Sequence, residues 1–106
     1  MSEYIQEITF EQAKKLAEES FVKRIGLFRD SCQIPILSEQ YVEAECCWFF
    51  FRNKQIQIPE SQSLLDGAYA VSKKGNLFGI ADFSNNPTRL KEYLEKFSEH
   101  LKERNE

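Results

Sequence analysis

The residues that could carry out chemistry in this chain are few and lie in three places. Cys46 and Cys47 are sequence neighbours, His100 is the single histidine, and three glutamates precede the cysteines at Glu39, Glu43 and Glu45. A thiol needs an adjacent base such as imidazole to act as a nucleophile. Nothing in the spacing brings His100 beside either cysteine, so we predict no catalytic residue.

A metal or cofactor site is equally poorly supported. Zinc is held by Cys, His or carboxylate ligands that converge on one point. Neighbouring residues of a strand point to opposite faces, which makes it difficult for Cys46 and Cys47 to bind one ion. The chain has 3 cysteines in all, Cys32 included. That odd number argues against a disulfide framework. The sequence also lacks a glycine-rich phosphate loop, and we predict neither metal nor cofactor.

The three glutamates have two interpretations. Glu39, Glu43 and Glu45 share one parity of an alternating segment, so a strand would carry all three carboxylates on one face. The simpler interpretation is an ordinary solvated face, kept charged to prevent edge-to-edge pairing. The functional interpretation is a contact surface for a basic partner, since a row of carboxylates complements arginine and lysine.

Composition narrows the class of protein. The chain has 106 residues, of which 42% are hydrophobic and 29% charged, as in a single globular domain spanning residues 1–106. A net charge of −3 disfavours nucleic-acid binding, which requires clustered lysine and arginine. No apolar run is long enough to span a membrane, and the start of the chain lacks the pattern of a signal peptide. We therefore expect a cytoplasmic protein.

An amphipathic helix is predicted at each end of the chain. Thr9 and Gln12 have the spacing of a capping box, and apolar residues then recur at helical intervals up to Ile25. Asn86, followed by proline, caps a second helix. From Lys102 onward we expect this second helix to fray.

The segment between the helices has the pattern of strands. Residues 38–44 alternate in polarity, whereas residues 48–51 are aromatic on both parities. This aromatic run could stack nucleic-acid bases, but it lacks interleaved basic residues, and we interpret it as a central strand covered on both faces. A hairpin follows over residues 69–81, with Gly75 in its turn.

This order predicts an α+β fold with an N-terminal helix, an antiparallel meander of about four strands, and a C-terminal helix packed on the sheet as a two-layer sandwich. One face of the aromatic strand then needs a further cover. The second helix, the polar loop at residues 59–67 and a second copy of the chain, forming a homodimer, are the three candidates.

Four short motifs follow one another along the chain. They are the Glu11-Gln12-Ala13-Lys14 helix start, the Trp48-Phe49-Phe50-Phe51 strand, the Leu65-Asp66-Gly67 loop and the Val71-Ser72-Lys73-Lys74-Gly75 turn. In this order, from Thr9 to Phe97, the chain resembles the immunity protein 35 family of small bacterial proteins.

The resemblance implies a protein without chemistry of its own. Such proteins act in the cytoplasm, bind a cognate polymorphic toxin and cover its active site. The acidic balance suits a basic toxin such as a nuclease, and Glu39, Glu43 and Glu45 are the candidate contacts. The alternative function is a small stress-related chaperone or client-binding protein, which would need an exposed apolar patch.

Overall fold

The computed structural model describes residues 4–28, 33–61 and 67–106 of the chain. Along these ranges the elements follow the predicted order of helix, four strands and helix. Their bounds are Phe10–Ile25 for α1, Leu37–Glu43 for β1, Cys47–Arg52 for β2, Ala68–Ser72 for β3, Leu77–Ile80 for β4 and Pro87–Arg104 for α2. A short 3₁₀ turn follows α1. The predicted α+β class is confirmed.

Both helices begin at the predicted caps. The Gln12 backbone N–H donates to Thr9 Oγ1 at 3.2 Å, and the Thr9 N–H donates to Gln12 Oε1 at 2.9 Å. This reciprocal pair is the capping box that the sequence predicts. At α2, the Arg89 N–H donates to Asn86 Oδ1 at 3.2 Å. Pro87 occupies the first turn, where a backbone N–H has no partner within the helix, so the N–H that proline lacks is not needed.

The four strands form one antiparallel sheet in the order β1-β2-β3-β4. The meander is therefore as predicted, and β2 lies inside it. Trp48 of β2 is opposite Glu43 of β1 and Val71 of β3. Every β2 side chain except Arg52 is buried, which confirms that the aromatic run is core and not an open stacking platform.

Alternate residues of β2 are buried under different helices. Trp48 and Phe50 belong to the cluster that contains α1, while Phe49 and Phe51 belong to the cluster that contains α2. The helices thus lie on opposite faces of the sheet, and the predicted two-layer sandwich is corrected to three layers. The reason is that both parities of β2 are apolar, so each face requires its own cover. The second helix supplies it.

The β3–β4 turn has the predicted geometry. Gly75 has a φ of 99°, which side chains with a Cβ rarely adopt. Its N–H donates to the Ser72 carbonyl at 2.9 Å, and the Ser72 N–H donates to the Asn76 carbonyl at 2.8 Å. The glycine is therefore required by the turn itself.

The C-terminal residues are held by this turn. The main-chain oxygen of Glu106 accepts from Ser72 Oγ at 2.7 Å and from Asn76 Nδ2 at 2.8 Å. The expectation of fraying from Lys102 onward is wrong, because two tertiary hydrogen bonds offset the loss of helical partners at this end.

In the described ranges, no helix is both long enough and apolar enough to cross a membrane. Residues 62–66 of the predicted 59–67 loop, and Cys32, lie outside the described residues.

Candidate functional site

A cleft of about 930 Å³ lies between β1 and α2, and we call it the β1–α2 groove. Val42 and Ala44 line it from the sheet, and Leu90 and Leu94 line it from the helix. Its charged lining residues are Glu43, Glu45, Glu95, Glu99, Lys91 and Lys102. The groove therefore combines apolar side chains with a charged rim, the composition typical of a protein-binding surface.

The groove exists because aromatic packing draws α2 toward the far side of the sheet. The ring centroid of Phe97 lies 5.5 Å from that of Phe49 and 5.4 Å from that of Phe78 in β4. On the β1 side, the side chains beside α2 are the shorter Val42 and Ala44. Because α2 packs on aromatic rings at one side and meets only short side chains at the other, a cleft remains over the short side chains.

One end of the groove is closed by contacts from the β1–β2 turn to α2. The buried Cys46 N–H donates to Ser98 Oγ at 3.0 Å. Lys102 Nζ donates to Glu45 Oε1 at 2.9 Å. This hydrogen bond, with the Glu45 charge, raises the pKa of Lys102 above its usual value. These two contacts fix the position of the turn relative to the helix.

A second cleft, of about 640 Å³, borders the first half of β1 on the α1 side, and we call it the α1–β1 groove. Val22 of α1 and the segment from Pro35 to Leu37 provide its apolar lining. Its charged lining residues are Lys14, Glu18, Glu19, Lys23 and Glu39. Strand β1 is thus bordered by a cleft on each side.

The two grooves contain most of the excess negative charge of the chain. Among the described residues, seven glutamates and four lysines line them, and Lys73 pairs with one of these glutamates, Glu43, so seven acidic and five basic residues give a net charge of −2. The whole chain has 17 acidic and 14 basic residues, so the remaining ten acidic and nine basic residues nearly balance. The negative charge of the protein is therefore concentrated around β1, where it would attract a basic partner.

The structure separates the three glutamates that the sequence places on one face. Glu39 lines the α1–β1 groove, whereas Glu45 lies beyond the end of β1 and pairs with α2. Strand β1 ends at Glu43, so its alternation does not extend to Glu45, and the predicted row of three carboxylates does not form.

Glu43 is held on the α1 face. Its carboxylate accepts from Lys73 Nζ at 2.6 Å. The same ammonium lies 5.0 Å from the centroid of the Trp48 ring, within the range of a cation–π contact. Glu43 therefore has a defined position, with its side chain half exposed.

The two cysteines that the structure describes, and the histidine, lie outside both grooves. Cys46 and Cys47 are fully buried. Burial, reinforced by Cys46 and opposed by Lys73, raises the pKa of the Cys47 thiol to about 12. His100 is exposed and lines a small cleft with Phe78 on the β4 side of α2. These residues suit structural positions and form no nucleophile–base pair.

Glu95 and Glu99 line the β1–α2 groove but are not among the site residues predicted from the sequence. Together with Lys91 and Lys102, they follow one flank of α2 at helical spacing. A helical projection would have grouped them, but only the tertiary structure shows that this flank borders β1.

Within the described ranges, no three His, Cys, Asp or Glu side chains are grouped so that they could hold a metal ion. No buried side-chain nitrogen or oxygen there lacks a hydrogen-bond partner. What the arrangement offers is a charged and partly apolar surface on a rigid scaffold. Comparison with family models, with curated proteins and with solved structures gives no match.

Proposed function

We propose that the protein is a non-catalytic immunity protein, which neutralises a basic protein toxin by binding it and covering its active site. The observation that carries the proposal is that most of the chain's net charge of −3 lies on the two grooves beside β1. The resemblance to the immunity protein 35 family supplies the toxin as the class of partner.

The non-catalytic character is supported by the position of the reactive groups. Both described thiols are buried, and the raised pKa of Cys47 keeps it protonated near neutral pH. A protein that acts by occlusion needs only a rigid surface of suitable shape and charge. The three-layer packing around β2 provides that rigidity.

The basic partner follows from the charge. A nuclease toxin carries a cationic groove for its phosphate substrate, and an acidic surface can occupy such a groove. Glu39, Glu43 and Glu45 remain proposed contacts, with Glu39 and Glu43 on the α1 side of β1 and Glu45 beside α2, and Glu95 and Glu99 join them. The proposed place of action is the cytoplasm, where the toxin would reach its target.

Coexpression tests the proposal directly. The C-terminal domain encoded by the reading frame immediately upstream is expressed in a host, with and without this protein. We expect the domain alone to stop growth and the wild-type protein to restore it. A triple variant with Glu39→Lys, Glu43→Lys and Glu45→Lys should restore growth poorly.

Two controls make the result decisive. Urea denaturation of the triple variant establishes that its fold is intact, since a misfolded inhibitor also fails to protect. A neighbouring domain that is harmless, or a toxic domain that the wild-type protein neither binds nor neutralises, would contradict the proposed function.

A further inference from the structure

The outer edge of β1 has unpaired backbone groups. The Ala44 N–H donates to the Cys47 carbonyl at 2.8 Å. Hydrogen-bonded and non-bonded pairs alternate in an antiparallel ladder. Val42 opposite Phe49 is therefore the next bonded pair. It follows that Tyr41 and Glu43 direct their N–H and C=O groups away from β2.

No other part of the described chain uses these groups. The sheet ends at β1, and within the described ranges no backbone hydrogen bond from a turn or loop reaches Tyr41 or Glu43. An edge of this kind is a template for one more strand. The irregularity between Leu37 and Tyr41 confines the regular part of the template to the half of β1 nearest the turn.

The opposite edge of the sheet has a different electrostatic border. In strand β4, by the same alternation, Leu77 and Gly79 face outward, so each edge offers two outward residues. A Cβ added at Gly79 would lie 3.9 Å from the Arg24 guanidinium, whereas glutamates border β1. The charges beside the two edges therefore favour β1 as the site for a basic strand.

The surroundings of β1 provide space for the side chains of an added strand. Successive side chains of a strand point to opposite faces. On one face they would enter the β1–α2 groove, and on the other they would lie against Tyr41, which is 47% exposed. The glutamates around both grooves favour lysine or arginine at these positions.

We propose that an extended basic segment of the partner pairs with the outer edge of β1 as a fifth strand of the sheet. This inference rests on the proposed function and specifies how the partner is recognised. Main-chain hydrogen bonds would supply affinity, and the charged grooves would supply specificity. A second copy of the chain is a poorer occupant, because self-pairing would bring Glu39, Glu43 and Glu45 of two edges together.

Amide exchange of the wild-type protein tests strand addition without any substitution. The probe is a short capped peptide of alternating lysine and valine, and a peptide of alternating glutamate and valine is its control. We expect the basic peptide to slow exchange at the Tyr41 and Glu43 amides in proportion to its concentration. The Leu77 and Gly79 amides at the other edge should not change.

A matched set of variants tests the same point by binding. Glu43→Pro removes the outward N–H without removing a ladder bond, and should weaken peptide binding about tenfold. Glu43→Gln removes only the charge and should weaken it by about threefold or less. Leu77→Pro makes the corresponding change at the β4 edge and should leave the affinity unchanged.

The outcomes separate this inference from the proposed function. Peptide binding without slower exchange at Tyr41 and Glu43 would overturn strand addition, and so would protection at β4 or no binding at about 1 mM peptide. Protection of the two amides by self-association, without peptide, would overturn it in favour of a homodimer. Growth protection in the coexpression assay would survive each of these results, because occlusion requires no added strand.

Discussion

The hydrogen bond between Ser98 and Cys46 makes the sharpest prediction for stability. Ser98 Oγ is the acceptor of the buried Cys46 N–H at 3.0 Å, and the serine is 6% exposed. Ser98→Ala leaves this N–H without a partner in a site that water reaches poorly. The residues are 52 apart in the sequence, so the contact joins the β1–β2 turn to α2 and closes one end of the groove.

The magnitude follows from the cost of a buried, unsatisfied backbone donor, about 1–3 kcal/mol. For a chain of 106 residues the unfolding entropy is about 0.2 kcal/mol/K, so Tm should fall by about 5–14 °C. Urea denaturation should show a lower midpoint with an unchanged slope. Exchange of the Cys46 amide should become faster than that of its neighbours in β2.

Thr88→Ala is the matched control, because it removes a hydroxyl from the exposed side of the same helix. It should change the free energy of unfolding by about 0.5 kcal/mol or less. If Ser98→Ala behaved like this control, the contact would not hold the turn on α2, and the explanation of the groove's closed end would be refuted.

Three further predictions concern single side chains. In a Cys32→Ser background, Cys47 should resist thiol reagents at about pH 8 until urea exposes it, because burial raises its pKa to about 12; rapid labelling of the folded protein would contradict this. Gly75→Ala should lower the free energy of unfolding by about 1 kcal/mol or more, since Gly75 has a φ of 99°; an unchanged urea midpoint would count against it. Burial disfavours ionisation of Asp82, but hydrogen bonds, the largest from Lys54, outweigh it and lower the pKa of Asp82. This carboxylate therefore stabilises the fold above about pH 4, and the stabilisation is lost as the pH falls through the lowered pKa. Asp82→Asn should reduce the loss of unfolding free energy at acidic pH. If the unfolding free energy of the variant depended on pH as that of the wild type does, the assignment would be refuted.

Much of the fold could be predicted because it depends on local patterns. The capping box at Thr9, the proline after Asn86 and the glycine of the β3–β4 turn each act within a few residues. The aromatic run of β2 is apolar on both parities, which indicates burial of both faces. The apolar pattern of β2 does not show what covers the second face, since α2, a loop or a second chain could each cover it.

The site could be predicted only in part because it depends on where elements lie relative to each other. Strand parity grouped Glu39, Glu43 and Glu45, but β1 ends at Glu43, and Glu45 beyond it pairs with Lys102 of α2. Glu95 and Glu99 border β1 only because Phe49 and Phe78 draw α2 to the other side of the sheet. No local sequence pattern predicts this displacement of α2 across the sheet.

A charge-reversal comparison tests the central claim that a basic partner binds beside β1. The double variant Glu95→Lys with Glu99→Lys changes the groove, and Glu92→Lys with Glu103→Lys makes the same change of net charge on α2 outside both groove linings. The measurement is the association rate with the toxic domain from the coexpression assay, at low and at high salt. The first pair should slow association about tenfold or more at low salt, with the difference shrinking at high salt, while the second should change it by about twofold or less. Equal effects of the two double variants on the association rate, or no effect of the Glu95→Lys, Glu99→Lys variant, would contradict binding of a basic partner beside β1.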